Sequence, residues 1–149
     1  MDTDDKLKPL ELKWGREVIR GGFTAMPTML LQRQVEFGIS PMQMNIILNV
    51  ADHWFDARYL PFPSYSTLSR RIGCCVRQLQ RAIKDLEARG FLERQVRFVA
   101  MKGQSSNYFS LAKLIGKLQE RAIVKPATSH REEWEPKRAR RIKVSSSAP

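Results

Sequence analysis

Cysteine is scarce. The two that occur, Cys74 and Cys75, are adjacent. Neighbouring cysteines cannot staple distant parts of one chain, so a disulfide scaffold is excluded and a reducing, cytoplasmic setting is expected. They also lack the C-x-x-C spacing of a structural zinc site. A semi-buried turn thiol is the plain role for each, and a redox role has only the basic neighbours to recommend it. The two histidines, His53 and His130, stand far apart. Gly21-Gly22 is followed by no Lys-Ser/Thr, so there is no phosphate-binding glycine loop. Asp52 and Asp56, at i and i+4, read as a solvated surface. No acid, base, nucleophile or metal cluster stands together, so no enzyme and no cofactor is expected. Long apolar runs are missing as well. The longest uncharged stretch, Phe37 to Ala51, contains Ser40, Gln43, Asn45 and Asn49, which excludes a membrane helix of the usual ~18 apolar residues. Met1 to Lys6 is acidic and polar, unlike a secretory signal.

Acidic residues are outnumbered. Against 15 Asp and Glu stand 26 Lys and Arg, a formal charge of +11 on 149 residues. The apolar share of 42% still supports a packed core. A small basic domain of this kind favours a polyanion, most often nucleic acid.

Along the chain, residues 1–12 read as a flexible polar lead-in. Trp14 to Ile19 reads as a short strand ended by Gly21-Gly22. A helix is predicted from Pro27 to Glu36, stopping near Gly38. The best start signal is Ser40-Pro41-x-Gln43, an N-cap, a first-turn proline and the partner of a capping box. The helix it opens should reach Trp54, with Met44, Ile47, Leu48, Ala51 and Phe55 on its apolar face. Arg58 to Pro63 is a loop. Ser64 caps a short helix with Leu68 and Ile72 inward and Gly73 at its end. Val76 to Arg89 forms a longer helix stopped by Gly90. Phe91 to Met101 and Ser105 to Leu111 form a hairpin around Lys102-Gly103-Gln104. Ala112 to Ala122 is a last helix. Residues 123–149 form a basic tail, with Lys137, Arg138, Arg140, Arg141 and Lys143 clustered to attract phosphates without reading sequence.

Short helix, tight turn, longer helix and hairpin make a helix-turn-helix with a wing. At about 100° per residue, with Leu79 set at zero, Val76, Ala82, Ile83 and Leu86 stay within about 60° of it. Arg77, Arg81, Lys84 and Ala88 fall on the far side, flanked by Gln78 and Gln80. Arg pairs bidentately with guanine and Gln with adenine in a major groove. The plain alternative is a solvated face on which Arg81 and Asp85 pair for ~0.2–0.5 kcal/mol. The turn, the hairpin and the net charge tip the reading toward DNA. Ser64, Tyr65 and Ser66 open the first helix and could hold a phosphate, although capping is the simpler role for Ser64. Arg94, Arg97 and Lys102 of the wing could reach phosphates or the minor groove; exposed hairpins also carry cations to blunt their edges.

The stretch LSRRIGCCVRQLQRAIKDLEARGFLER, Leu68 to Arg94, resembles the winged helix-turn-helix domains of bacterial, phage and plasmid regulators and replication initiators. Leu79 to Ile83, Leu86-Glu87 and Gly90-Phe91-Leu92 stand at the motif positions, and Asn107-Tyr108 and Leu111 resemble the end of the wing. KWGREVIRGGFTAMPTMLLQRQ, ISPMQMNIILNVADHW and LPFPS extend the likeness upstream, so that it spans about Lys13 to Gln119 and leaves out the tail. One departure stands out. The family has Ser or Thr capping the recognition helix, and here Cys75 occupies that place. The resemblance implies Arg77, Gln80 and Arg81 as the base or phosphate contacts.

The expected fold is α+β, mainly α: a winged helix-turn-helix over 13–122 (motif 64–90, wing 91–111) with extra N-terminal helices and a two-stranded wing. The expected function is sequence-specific binding of double-stranded DNA as a transcriptional regulator. A replication-initiation or partition factor is the alternative within DNA binding. A protein- or RNA-interaction module using the basic face is the alternative outside it. One motif reads few base pairs, so a homodimer on two half-sites is the expected partner arrangement. The dimer contact would fall on the N-terminal helices or on the helix from Ala112, and the sequence does not choose. Protein partners at a promoter or origin would follow from either role, and no membrane partner is expected.

Overall fold

The computed structural model describes residues 3–124. Seven helices and a hairpin follow in the order α1 (Thr3–Trp14), α2 (Arg16–Arg20), α3 (Thr28–Gln32), α4 (Pro41–Asp52), α5 (Tyr65–Ile72), α6 (Val76–Ala88), β1 (Glu93–Gln95), β2 (Phe98–Val99), β3 (Gly103–Gln104), β4 (Tyr108–Ser110) and α7 (Ala112–Val124). The mainly helical winged architecture is the one expected. The clustered tail cations Lys137, Arg138, Arg140, Arg141 and Lys143 lie outside the described residues.

The N-terminal expectations need correction. The supposed lead-in is helical as α1, which packs against α2. The expected strand at Trp14–Ile19 is the helical turn α2. Only Ile19 is buried there, while Trp14 and Val18 remain exposed. Five residues carry too little periodicity to separate a strand from one turn of helix. α3 is shorter than expected: its chain turns from Arg33 onward, and Pro27 serves as N-cap rather than first helical residue.

The start of α4 follows its chemistry. Ser40 Oγ accepts from Gln43 N–H at 3.2 Å, and Gln43 Oε1 accepts from Ser40 N–H at 3.0 Å. Such a reciprocal cap contributes about 1 kcal/mol. The buried stripe is Gln43, Met44, Ile46, Ile47 and Val50, rotated from the expected one. Phe55 is 90% exposed, because α4 ends at Asp52 and the chain has left the helix before reaching it.

α5 starts at Ser64, whose Oγ accepts from Thr67 N–H at 3.0 Å. It ends at Gly73, with φ 76° and ψ 35°. That left-handed backbone releases the chain into α6 after two residues, and only glycine adopts it without a Cβ penalty. α6 ends the same way at Gly90, where Phe91 N–H donates to Leu86 O at 2.9 Å and Gly90 N–H to Glu87 O at 3.1 Å. Leu68 of α5 and Leu79, Ile83 and Leu86 of α6 have no exposed surface, nor do Ile46, Ile47 and Val50 of α4. This three-helix core fixes the angle at which α6 presents its other face. Truncating one such leucine to alanine costs ~2–5 kcal/mol.

The wing is a single hairpin with an interrupted ladder. β1 pairs antiparallel with β4, placing Arg94 opposite Phe109. β2 pairs with β3, placing Val99 opposite Gly103. The expected turn at 102–104 is therefore shifted. Gly103 and Gln104 are strand residues, and the chain reverses through Lys102 N–H to Val99 O at 3.1 Å. Met101 takes the positive φ of 68° that the turn demands. At its base the wing is anchored twice: buried Phe109 enters the core, and its N–H donates to Pro61 O at 2.8 Å in the loop before α5. α7 then closes the core with buried Leu114 and Leu118.

Candidate nucleic-acid interface

The outer face of α6 carries Arg77, Gln78, Gln80, Arg81 and Lys84, all exposed. Among the described residues, Arg77, Gln80, Arg81 and Lys84 have no hydrogen-bond or ion-pair partner. Gln78 is partly engaged: its Oε1 accepts from Cys75 N–H at 3.3 Å. This supplies one half of a capping box at a helix whose cap residue is a thiol, so the glutamine steadies a start that the cysteine caps poorly.

The ion pair weighed between Arg81 and Asp85 does not form. Asp85 turns the other way. Its Oδ2 accepts from Gln43 Nε2 at 2.5 Å and from Arg89 Nε at 3.0 Å. Arg89 in turn donates to Gln43 Oε1 at 2.9 Å, to Phe37 O at 3.0 Å and to Gly38 O at 2.9 Å. One arginine thus satisfies the turn before α4, the capping glutamine of α4 and the end of α6. Sequence reading missed this hub. Its one visible sign was Asp85 and Arg89 at i, i+4 near a helix end.

Glu87, the other acid of α6, is also drawn inward. Arg94 donates to its carboxylate through Nε and Nη2, both at 3.1 Å, and to the Tyr65 hydroxyl. Partial burial, the largest single influence, presses the Arg94 pKa down; the Tyr65 hydroxyl and Glu87 together outweigh it, and the net direction is up. Tyr65 also packs its ring edge-on to Phe109 at 6.4 Å. Arg94 and Tyr65 thereby fasten the base of the wing to α5 and α6. Arg97 lies over the Phe62 ring at 4.1 Å and donates to Ser105 Oγ at 3.3 Å, so it too braces the wing. Of the expected wing contacts, Arg94 is exposed but engaged and Arg97 is half-buried, while Lys102 is exposed and has no partner among the described residues. Ser66 is exposed at the start of α5, while Ser64 is held in its cap.

The structure adds one exposed cation to the two-helix motif. Arg70, in the last turn of α5, is exposed and has no partner among the described residues. Its neighbour Arg71 is paired with Asp52 at 2.8 Å. Elsewhere the acids meet cations away from α6: Glu17 with Arg20, Glu36 with Arg33 and Arg121, Asp56 with Arg58, and Glu93 with Lys113. Arg70, Arg77, Arg81 and Lys84 of the two-helix motif are thus exposed cations without a counter-ion among the described residues, as are Lys13, Arg16 and Lys102 elsewhere. Among the described residues no group of His, Cys, Asp and Glu could hold a metal ion, and no helix is long and apolar enough to cross a membrane.

Two helices joined at a left-handed glycine, followed by a hairpin braced against both, define a winged helix-turn-helix. Comparison with known proteins agrees: residues 38–92 match the family described as "Helix-turn-helix domain". That match begins at the turn before α4 and ends where α6 has given way to the wing. No curated protein matches the chain. Among solved structures, the YusO protein from Bacillus subtilis is 13% identical, with a TM-score of 0.42 over 93% of this chain and 94% of that one. A protein described as transcriptional regulator PA3341 is 18% identical, with a TM-score of 0.40 over 93% of this chain and 92% of that one. At these scores neither likeness carries an argument about this chain.

Proposed function

We propose that this protein is a transcriptional regulator that binds double-stranded DNA with α6 in the major groove. The observation that carries the reading is the outer face of α6. Its cations have no partners among the described residues, while both acids of the same helix are turned to arginines elsewhere. A face that only needed solvation would gain by pairing Arg81 with Asp85. Arg77, Gln80 and Arg81 are assigned to base edges, where each bidentate pair contributes ~1–3 kcal/mol of discrimination. Lys84, Arg70, Ser66 and Lys102 are assigned to phosphates, which position the protein without reading sequence. Gln78 is assigned to the helix start. Arg94, Arg97 and Tyr65 hold the wing in place.

One such helix reads only a few base pairs, so specific occupancy implies two copies on two half-sites. The test is selection of duplexes from a random library by the full chain at near-physiological salt. The expected result is a short enriched motif with twofold repetition. Recovery of unrelated sequences, with binding that disappears as salt rises, would reject the reading, because phosphate contacts alone behave that way.

A further inference from the structure

The tip of the wing is built against its own stability. The ladder ends at Val99 opposite Gly103, so Ala100, Met101 and Lys102 form the turn, with Met101 at its apex. Met101 has a φ of 68°, a left-handed backbone that glycine and asparagine enter readily and other residues enter at a cost. Its side chain gains nothing from the protein in return, since it is fully exposed. Glycine or a small polar residue would serve the turn better, and water is a poor environment for a long thioether chain. In the second pair of the ladder, Phe98 is 75% exposed as well. Lys102, beside the apex, is exposed and has no partner among the described residues.

The base of the wing, by contrast, is firmly held. Arg94 ties β1 to Glu87 of α6 and to Tyr65 of α5. Arg97 lies over the Phe62 and Tyr108 rings, at 4.1 and 5.7 Å. The hairpin is therefore carried with the two-helix motif. From Gln95, where the base ladder ends, to Met101 the strand extends up to ~20 Å. A major groove is ~12 Å wide. A hairpin anchored beside α6 is thus long enough to leave the groove of that helix and enter the neighbouring minor groove.

We infer that the wing tip is an apolar wedge: Met101 enters between two base pairs from the minor groove and kinks the duplex, with Lys102 on the adjacent phosphate. The inference rests on the reading of α6 as a DNA-binding helix, and it adds a deformed target to that reading. Methionine and phenylalanine are among the side chains that part base steps in this way, and the opened step covers the apolar surface that water does not. The phosphates beside the step match the charge of Lys102. A protein partner fits the apex less well. A stable interface buries ~800 Å² on each side, and one side chain at the end of a turn offers a small part of that. Pyrimidine–purine steps kink most easily, so such a step should recur at a fixed distance outside the bases read by α6.

The test uses the full chain and a duplex selected from the random library, labelled at its two ends with a donor and an acceptor dye. The expected result is a saturable gain in energy transfer that corresponds to a bend of ~20–90°. Met101→Gly removes the wedge and relieves the backbone, so it should lose the bend while the melting temperature is kept. Met101→Leu keeps an apolar wedge and should keep the bend. A duplex that is bound specifically but stays straight, or a bend kept in Met101→Gly, would overturn the wedge and leave the α6 reading standing. So would self-association of the free chain that Met101→Gly abolishes, which would make the tip a contact between copies. A library that yields no motif would take down both readings.

Discussion

Arg81 stands in α6 and Arg89 caps its end, and they are used in opposite ways. Arg89 donates to a carboxylate, a side-chain amide and two backbone carbonyls, and it is part-buried. Arg81 is exposed and has no partner among the described residues. Both were within reach of Asp85, at i+4 on either side. The carboxylate belongs to Arg89 because Gln43, buried on α4, also offers it a donor, and two donors held in one geometry outweigh a single exposed pair. Acids at the back of the motif hold helices together, and the front is left uncompensated for an external anion.

The comparison breaks most visibly at the front. Arg77→Ala combined with Arg81→Ala should cost ~2–6 kcal/mol of specific DNA affinity, two bidentate contacts, with the melting temperature little changed. Fluorescence anisotropy on a selected duplex and a thermal melt measure the two sides. At the back, Arg89→Ala should do the reverse. Stability should fall by ~1–3 kcal/mol in a denaturant titration, because Asp85, Gln43 and two carbonyls lose a shared donor. An Arg89→Ala protein as stable as the parent would show that the hub holds nothing.

Smaller effects sharpen the contrast between well-capped and poorly capped helices. Cys75→Ser gives α6 the oxygen that Ser40 gives α4, and should raise stability by ~0.5–1 kcal/mol in the same titration. The smallest effect concerns pH. Hydrogen bonds from Thr24 first, then Arg71, hold the Asp52 carboxyl below the usual carboxylate range. A depressed folded value means the contribution is present above the unfolded pKa and is lost as pH falls through the folded one. Acid titration of Asp52→Asn should therefore show a shallower loss of stability below about pH 4 than the parent. The group is partly exposed, so solvent screening keeps the difference small.

Much of the fold was legible because its signals are local and chemical. The Ser40–Gln43 box, the Ser64 cap, Gly73 and Gly90 each sit where the sequence chemistry places a helix end. Leu79, Ile83 and Leu86 were legible by their period. What was not legible depends on long-range partners. Which carboxylate Arg94 finds, and that Arg97 lies on Phe62, is decided by residues far along the chain. The rotation of the α4 stripe is set by which side α5 and α6 approach from. The wing turn misled for another reason: Gly103 takes the left-handed φ of 69° yet pairs opposite Val99, and Met101 inside the turn takes a second one, 68°. Within the candidate site, the exposed arginines of α6 could be read from sequence. The engagement of Arg94, Arg97 and Tyr65 in bracing the wing could not.

The measurement that bears most directly on the account is the specificity ratio, the affinity for a selected duplex over that for a scrambled one, at fixed salt. It is compared for the parent, Arg77→Ala/Arg81→Ala, and Arg20→Ala/Arg58→Ala, a control of equal charge change whose arginines pair with Glu17 and Asp56. The ratio should collapse toward one in the α6 variant and be kept in the control. Equal losses in both variants, or a ratio kept in both, would contradict a reading face on α6.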